Sequence, residues 1–349
     1  MIDCHVHLWL LREKIDSETL TNQGNELLNV INDAGLDKMN IFGGGGDEAL
    51  YLKAANLNKF YAGGYAPWSS KTQLFNSEWG EYIPELIDLG YDGVGEMGSK
   101  PIPRNNHTPL DSEYYRGFWK ACEDNNFPVL CHIGDVEDFW HEEKTPAWAK
   151  IRDWGYWRGD YPSLDELYLE IENVLKRRPA LKIVLCHFLF MSPDLERISE
   201  FLDNYPTSNL DLSLGVELMY NISRRVDDYR DFFKNYANRL LFGTDIGMST
   251  TLHQHLARIW MIRHFLESSK EFYTPDEADE LLTRYAKPFI GLGLPRGLLE
   301  KIYAGNFRRM WGEQPRPIDL DELYNHSVNK GNIALSKAIH NLLQRYNES

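Results

Sequence analysis

Short apolar runs alternate with amphipathic stretches along most of the chain. The first run is Ile2–Leu8, and from about Asp16 to Ala34 apolar residues recur at helical spacing. Lys38–Phe42, Phe60–Tyr65, Asp92–Met97, Pro128–His132, Lys182–His187, Leu210–Leu214 and Leu240–Asp245 read as seven further strands. Helical patterns fall between them: a short one from Asp47, then Glu78–Leu89, Asp111–Asn125, Ser163–Arg178, Pro193–Asn204 and Arg224–Asn238. A last one runs through Glu267. Eight strand–helix alternations with near-continuous apolar strands predict a parallel sheet closed as a (β/α)8, or TIM, barrel. The stretch from about Tyr273 to Ser349 is helical in pattern and broken by Pro275, Pro288, Pro295, Pro315 and Pro317. The expectation is one domain over 1–349, a barrel core over about 1–270 with an appended C-terminal helical layer over 271–349.

Composition narrows the class. At 349 residues, 43% hydrophobic and 26% charged, the chain can bury a full core. A formal charge of −15 argues against non-specific binding to nucleic acid or to an anionic membrane, because phosphate neutralisation needs clustered Lys and Arg. No signal-like or membrane-spanning apolar run is read, so the expected location is cytoplasmic and the expected partner a small-molecule substrate. A homo-oligomer is compatible with all of this. Cys4, Cys122, Cys131 and Cys186 are too few and too scattered for a disulfide framework. Three of them directly precede a histidine, so strand alternation places these thiols opposite the histidines, facing the covering helices.

Barrel chemistry sits at the C-terminal ends of strands. His5 and His7 end the first run, Glu96 the fourth, His132 the fifth, His187 the sixth and Asp245 the eighth. Residues two apart on a strand share a face, so His5 and His7 point the same way, as two ligands of one metal must. Each residue alone has a structural explanation, as a buried histidine bonded to a carbonyl or an Asp capping a helix. Six at the same end of alternating strands favour a metal site.

These residues resemble the amidohydrolase superfamily, in particular the amidohydrolase-related branch that contains aminocarboxymuconate semialdehyde decarboxylase and several lactone hydrolases. The resemblance is carried by Asp3-Cys4-His5-Val6-His7, Val129-Leu130-Cys131-His132, Ile183-Val184-Leu185-Cys186-His187, Leu241-Phe242-Gly243-Thr244-Asp245 and Gly305-Asn306-Phe307. It implies that His5, His7, His132 and Asp245 contact a divalent metal and that His187 lies beside it. Gly93-Val94-Gly95-Glu96-Met97-Gly98 departs from the decarboxylase-like pattern and is similar to the Gly-Glu-x-Gly segment of TatD-type hydrolases, whose glutamate bridges two metals. The alternative for Glu96 is a carboxylate orienting a ligand histidine. Imidazoles and carboxylates suit zinc, with manganese or iron as substitutes, and two ions are favoured over one. A bound metal lowers the pKa of its water toward ~7; Asp245 would then take the proton, and His187 would bind a second ion or polarise the carbonyl.

Several loops are candidates for substrate contact. Gly43–Gly46 resembles a phosphate cradle only loosely, lacking the Gly-Lys-Ser/Thr ending, and Asp47-Glu48 would repel an anion, so it reads as an active-site loop. Arg104 and His107 follow Glu96 and are placed near the substrate. His253 and His255 repeat the two-residue spacing on a helical stretch, where such residues diverge. The longest loop, Gly134–Pro162, carries Trp140, Arg152, Trp157 and Arg158 among its aromatics and cations. It is either a satellite hydrophobic cluster or a lid that packs on a ring and grips a carboxylate. The sequence thus leads to a metal-dependent hydrolase cleaving a C–O or C–N bond at the carbonyl of a small cyclic or aromatic lactone, amide or ester. The alternatives are a non-oxidative decarboxylase using one metal, a TatD-type nuclease and a non-enzymatic metal-stabilised binding protein.

Overall fold

The computed structural model describes residues 1–8, 17–43, 47–56, 58–65, 79–213, 215–247, 251–279, 281–282 and 287–348. Chain order runs β1 (Ile2–His7), α1 (Ser17–Ala34), β2 (Lys38–Phe42), α2 (Glu48–Ala55), β3 (Phe60–Gly64), α3 (Trp79–Asp88), β4 (Gly93–Ser99), α4 (Glu113–Asp124) and β5 (Val129–Ile133). It continues through α5 (Ala147–Ile151), α6 (Leu164–Arg177), β6 (Ile183–Leu185), α7 (Leu195–Asn204), β7 (Ser208–Asp211), α8 (Val216–Arg224), α9 (Val226–Asn235), β8 (Leu240–Leu241) and α10 (Leu252–Glu267). The last part holds β9 (Glu271–Phe272), β10 (Phe289–Ile290), α11 (Arg296–Glu300), α12 (Asn306–Trp311), α13 (Leu320–Asn329) and α14 (Ile333–Glu348). Of the expected glycine loop, Gly44–Gly46 lie outside the described residues, as do Glu78 and Leu214. Among the described residues no helix is long and apolar enough to cross a membrane.

β1 to β8 pair in sequential order, all in parallel. The ring is closed by the chain just after β8: Asp245 N donates to His5 O at 2.9 Å and His7 N to Ile246 O at 2.9 Å. Gly247 makes that closure possible. Its φ of +112° is open to glycine, and a Cβ there would lie 2.1 Å from His7 O. Asp3 adds a side-chain tie, accepting from Thr244 Oγ1 at 2.5 Å and Thr244 N at 3.1 Å. The helices start where the sequence caps them. On α6, Ser163 accepts from Glu166 N while the Glu166 side chain accepts from Ser163 N, with Lys176 and Arg177 in the last turn to suit the helix dipole.

Two strands carry an extra residue. From Asp3 to Val6, β1 advances three residues while β2 advances two, and β4 does the same against β5 between Val94 and Met97. Such bulges re-aim side chains, and here they fall on His5 and on Glu96. They also correct the expectation for the thiols. Cys131 faces the helices as expected, but Cys4 lies in the barrel interior with Ile2 because the bulge turns both Cys4 and His5 inward. Cys186 also lies inside, as strand alternation after Val184 requires.

The interior cluster shows what the tail does. Ile2, Phe42, Tyr61, Leu130, Val184 and Leu241, from six strands, pack with Phe307, Met310 and Trp311 of α12. Phe307 stacks on Trp311 at 4.6 Å and meets Tyr61 edge-on at 4.8 Å, while Asn306 Nδ2 donates to Ala237 O and Leu240 O, both at 2.7 Å. Further along, Arg316 N donates to the buried Asp92 carboxylate, which also binds Lys53 Nζ. The tail is therefore more than an appended layer, because α12 fills the floor of the barrel. Nor is it wholly helical, since β9 and β10 form an antiparallel pair. Phe307→Ala, at a position 1% exposed, should cost about 3–5 kcal/mol through the cavity it leaves, read from urea unfolding. An unchanged midpoint would show that the floor is not a packed unit.

Candidate metal centre

The β1 bulge brings His5 Nε2 and His7 Nε2 within 3.2 Å of each other. Asp245 Oδ1 completes a triangle, 3.4 Å from His5 Nε2 and 3.2 Å from His7 Nε2. Asp245 stands past the short β8 with φ +57°, a left-handed backbone that Asp tolerates better than most residues. Glu96, on the β4 bulge, sits among all four histidines. Its Oε1 is 2.9 Å from His132 Nδ1 and 3.7 Å from both His5 Nε2 and His187 Nε2, and its Oε2 is 3.6 Å from His7 Nε2. All six strand-end candidates thus converge on one buried spot.

β6 ends at Leu185, two residues before the sequence pattern suggests, and His187 is carried by a left-handed turn. His187, Phe188, Leu189 and Phe190 all have φ between +52° and +55°. Each such residue costs about 1–2 kcal/mol outside glycine, so the turn needs external support. Asp211 supplies it, accepting from His187 N at 2.7 Å, and Tyr168 OH donates to Leu189 O at 2.9 Å. On a continued strand His187 would face the helices, because Cys186 faces the interior. The turn returns the ring to the site and sets Phe190 against His132 and His187, with ring centroids 5.5 and 5.2 Å away.

Asp211 was not among the residues singled out from sequence. At the end of β7 it accepts from His5 Nδ1 at 2.6 Å and from Ser213 Oγ at 2.6 Å as well as from His187 N. The signal lay in the polar residues Asn209, Asp211 and Ser213, spaced two apart on a buried strand. With its proton held on Nδ1 by Asp211, His5 turns the Nε2 lone pair toward Asp245. His187 Nδ1, 3.0 Å from Ser213 O, is fixed in the same sense. Asp211→Asn would set an amide N–H or a weaker oxygen against His5 Nδ1 and leave an acceptor for His187 N. We expect metal affinity to fall by about 10–100-fold in chelator competition with folding retained, and unchanged affinity would remove the orienting role.

The charges at the site call for a cation. Burial opposes charge on Glu96, yet the surrounding histidines hold its carboxyl well below the usual range, and Asp245 and Asp211 are lowered likewise despite burial. Burial also opposes charge on His187, but Glu96, Asp245 and Asp211 outweigh it and hold that ring up at about 10. Burial wins at His132 and favours the neutral ring. A neutral His132 has one N–H to share between Gly134 O, 3.0 Å from Nε2, and Glu96 Oε1, 2.9 Å from Nδ1, so its other nitrogen keeps a lone pair beside an acceptor. Two overlapping donor sets, His5–His7–Asp245 and His5–Glu96–His187, have their ligand atoms within 4.8 Å of one another. The residues present fit a divalent metal. Cys186 is close to His5 and Asp211, but burial keeps its thiol protonated and a poor ligand.

The pocket over this centre differs in part from the expected one. His132, His187 and Asp245 form its base, and Phe139, Trp148 and Trp154 of the Gly134–Pro162 loop form a wall. The other expected substrate contacts lie elsewhere. Arg104 donates to Asp160 and Glu166, and His107 is bonded to Glu170 at 2.6 Å, because internal carboxylates draw both away. Trp140 donates to Pro162 O and packs into the loop's own cluster with Tyr156. Trp157 lies under Lys150 and Arg158, while Arg152 covers Trp154. None of the six lines the pocket. The loop is thus both a satellite cluster and a wall. Sequence reasoning passed over Arg258, a buried cation on α10 between Ala257 and Ile259, 3.8 Å from Asp245 Oδ2 and held by Asp279 at 2.8 and 3.0 Å.

Residues 81–312 match the family model described as amidohydrolase. No curated protein matches the chain. Solved structures share its fold at low identity. A 4-oxalomesaconate hydratase from Rhodopseudomonas palustris is 15% identical, with a TM-score of 0.52 over 95% of this chain and 99% of that one. A protein from Acinetobacter baumannii described as a probable 2-pyrone-4,6-dicarboxylic acid hydrolase, with citric acid bound, is 11% identical, with a TM-score of 0.51 over 89% and 98%. A dihydroxybenzoic acid decarboxylase from a Polaromonas species, with bound manganese and an inhibitor, is 13% identical, with a TM-score of 0.51 over 89% and 96%.

Proposed function

The chain belongs to the amidohydrolase family, and from that premise we propose that it is a metal-dependent hydrolase acting at the carbonyl of a small cyclic or aromatic lactone, ester or amide. The observation that carries this reading is the position of Glu96, one carboxylate placed between the His5–His7–Asp245 set and the histidines His132 and His187. In a one-ion decarboxylase Glu96 would only orient His132, whereas its two oxygens here approach all four histidines. Zinc or manganese would suit the donors: His5, His7 and Asp245 would hold one ion and His132 and His187 a second, with Glu96 within reach of both sets. Bound there, such ions supply an activated water at neutral pH and a Lewis acid for the carbonyl.

The protein's own groups do the rest. Asp245 Oδ1 faces His5 and His7, which leaves Oδ2 as the oxygen to take the nucleophile's proton and later return it to the leaving group. Arg258 stands beside Oδ2, but its pairing with Asp279 blunts its pull on that proton. His187, held through Nδ1 by Ser213, keeps Nε2 turned toward Glu96 as the atom that would hold the second ion. Phe139, Trp148, Trp154 and Phe190 exclude water and offer flat apolar faces to a ring. The net charge of −15 supports a small molecule over a nucleic acid as substrate.

The test is turnover by the metal-loaded protein of a panel of lactones, aryl esters, amides and aromatic carboxylates in heavy-oxygen water. Hydrolysis places one solvent oxygen in the new carboxylate. Release of carbon dioxide from an aromatic acid, with no hydrolysis of any panel member, would replace this reading by the decarboxylase.

A further inference from the structure

Lys100 follows β4 directly, four residues after Glu96, and lines the same pocket as His132, His187 and Asp245. Its ammonium stands 4.8 Å over the Trp154 ring and 4.0 Å from Asp135 Oδ2. That distance is too long for a direct hydrogen bond. Asp135 Oδ2 already accepts from Tyr156 OH at 2.8 Å, and its Oδ1 accepts from Val136 N at 3.2 Å. The contrast with Arg258, closed on Asp279, is plain. Of the lysine and arginine side chains among the described residues lining the pocket, Lys100 is the one without a direct hydrogen bond to a carboxylate. Asp135 and Trp154 steer its head group without saturating it, and 32% of the side chain is exposed.

We propose that Lys100 determines specificity by pairing with a carboxylate on the edge of the substrate remote from the reacting carbonyl, with the ring between them lying against Trp148 and Trp154. The inference rests on the reading of the pocket as a hydrolase site and names the substrate class more closely: a planar carboxylic acid bearing a separate lactone, ester or amide. Geometry supports the division of labour. Glu96 and Lys100 lie at the mouth of one strand, so one ligand can reach the metal ligands and Lys100 together. A Lys ammonium suits this task, since its three donors turn freely to meet a carboxylate that arrives with the substrate.

The experiment is calorimetric titration of the metal-loaded protein with benzoate and with benzamide, which are alike in shape and differ in charge. The wild type should prefer benzoate by about tenfold, Lys100→Met should lose that preference, and Lys100→Arg should keep most of it. If Lys100→Met is poorly folded, Lys100→Gln carries the same comparison. A benzoate preference that survives in the neutral variants would assign the carboxylate to the metal ions and overturn the proposal, as would equal binding of both probes by the wild type. Because the readout is binding, a negative hydrolysis screen with the preference intact and Lys100-dependent would strike the reaction and support the assignment of Lys100.

Discussion

Asp245→Asn should leave the barrel folded and reduce turnover by about 10²–10⁴-fold at matched metal content. Shape is preserved by the substitution, and Asn is among the residues that accept the left-handed backbone found at φ +57°. What is lost is charge and basicity. Oδ1 lies 3.4 and 3.2 Å from the two Nε2 atoms of the His-x-His pair, so weaker metal retention is expected as well, and the comparison has to be made on loaded protein. An amide cannot take a proton at Oδ2, so the remaining deficit should appear in kcat more than in KM. Activity within about tenfold of wild type, with metal content matched, would sink the proton-transfer role.

Glu96→Ala should lower bound metal from about two ions per chain to about one and remove most hydrolysis. With one carboxylate near four imidazoles, no other described side chain can couple His132 and His187 to the β1 pair in the same way. The readouts are elemental analysis after exhaustive dialysis and the rate on whichever ester or lactone the wild type turns over. If the wild type saturates at one ion with full activity, and Glu96→Ala keeps both content and rate, the bridge is wrong. His132 then becomes a fourth protein ligand of a single ion and His187 a free base, which is the arrangement a decarboxylase would use.

Much of this was legible in the chain because barrel strands advertise themselves. Pro128–His132 is near-continuously apolar, Lys38–Phe42 shows an apolar face in Met39 and Ile41, and β2 begins and ends where the pattern places it. All six strand-end candidates meet, since strand order brings them to the same end of the barrel, although the inward aim of His5, Glu96 and His187 depends on the two bulges and the turn after β6. What the pattern hid is local geometry. A bulge leaves no trace in composition, so the phase change that turns Cys4 and His5 both inward could not be read from alternation. Phe188-Leu189-Phe190 gives no hint of a left-handed turn, because its support comes from Asp211 and Tyr168, remote in sequence. Arg104 and His107 were placed by proximity to Glu96, whereas the carboxylates that capture them, Glu166 and Glu170, lie on α6.

The way the ring closes also bears on how the chain folds. Asp3 meets Thr244 across 241 residues of sequence, and Tyr61 meets Gly312 across 251. Neighbouring strands from β2 to β7 can pair across one crossover segment each, while closure and insertion of α12 must meet a larger loop entropy before any contact rewards it. Closure is therefore expected late, after an open sheet has formed with β1 and β8 as bare edges, a species prone to association at high concentration. The ligands come from both sides of that seam, so the open form has no complete site. Added metal should accordingly slow unfolding of the closed barrel far more than it speeds refolding.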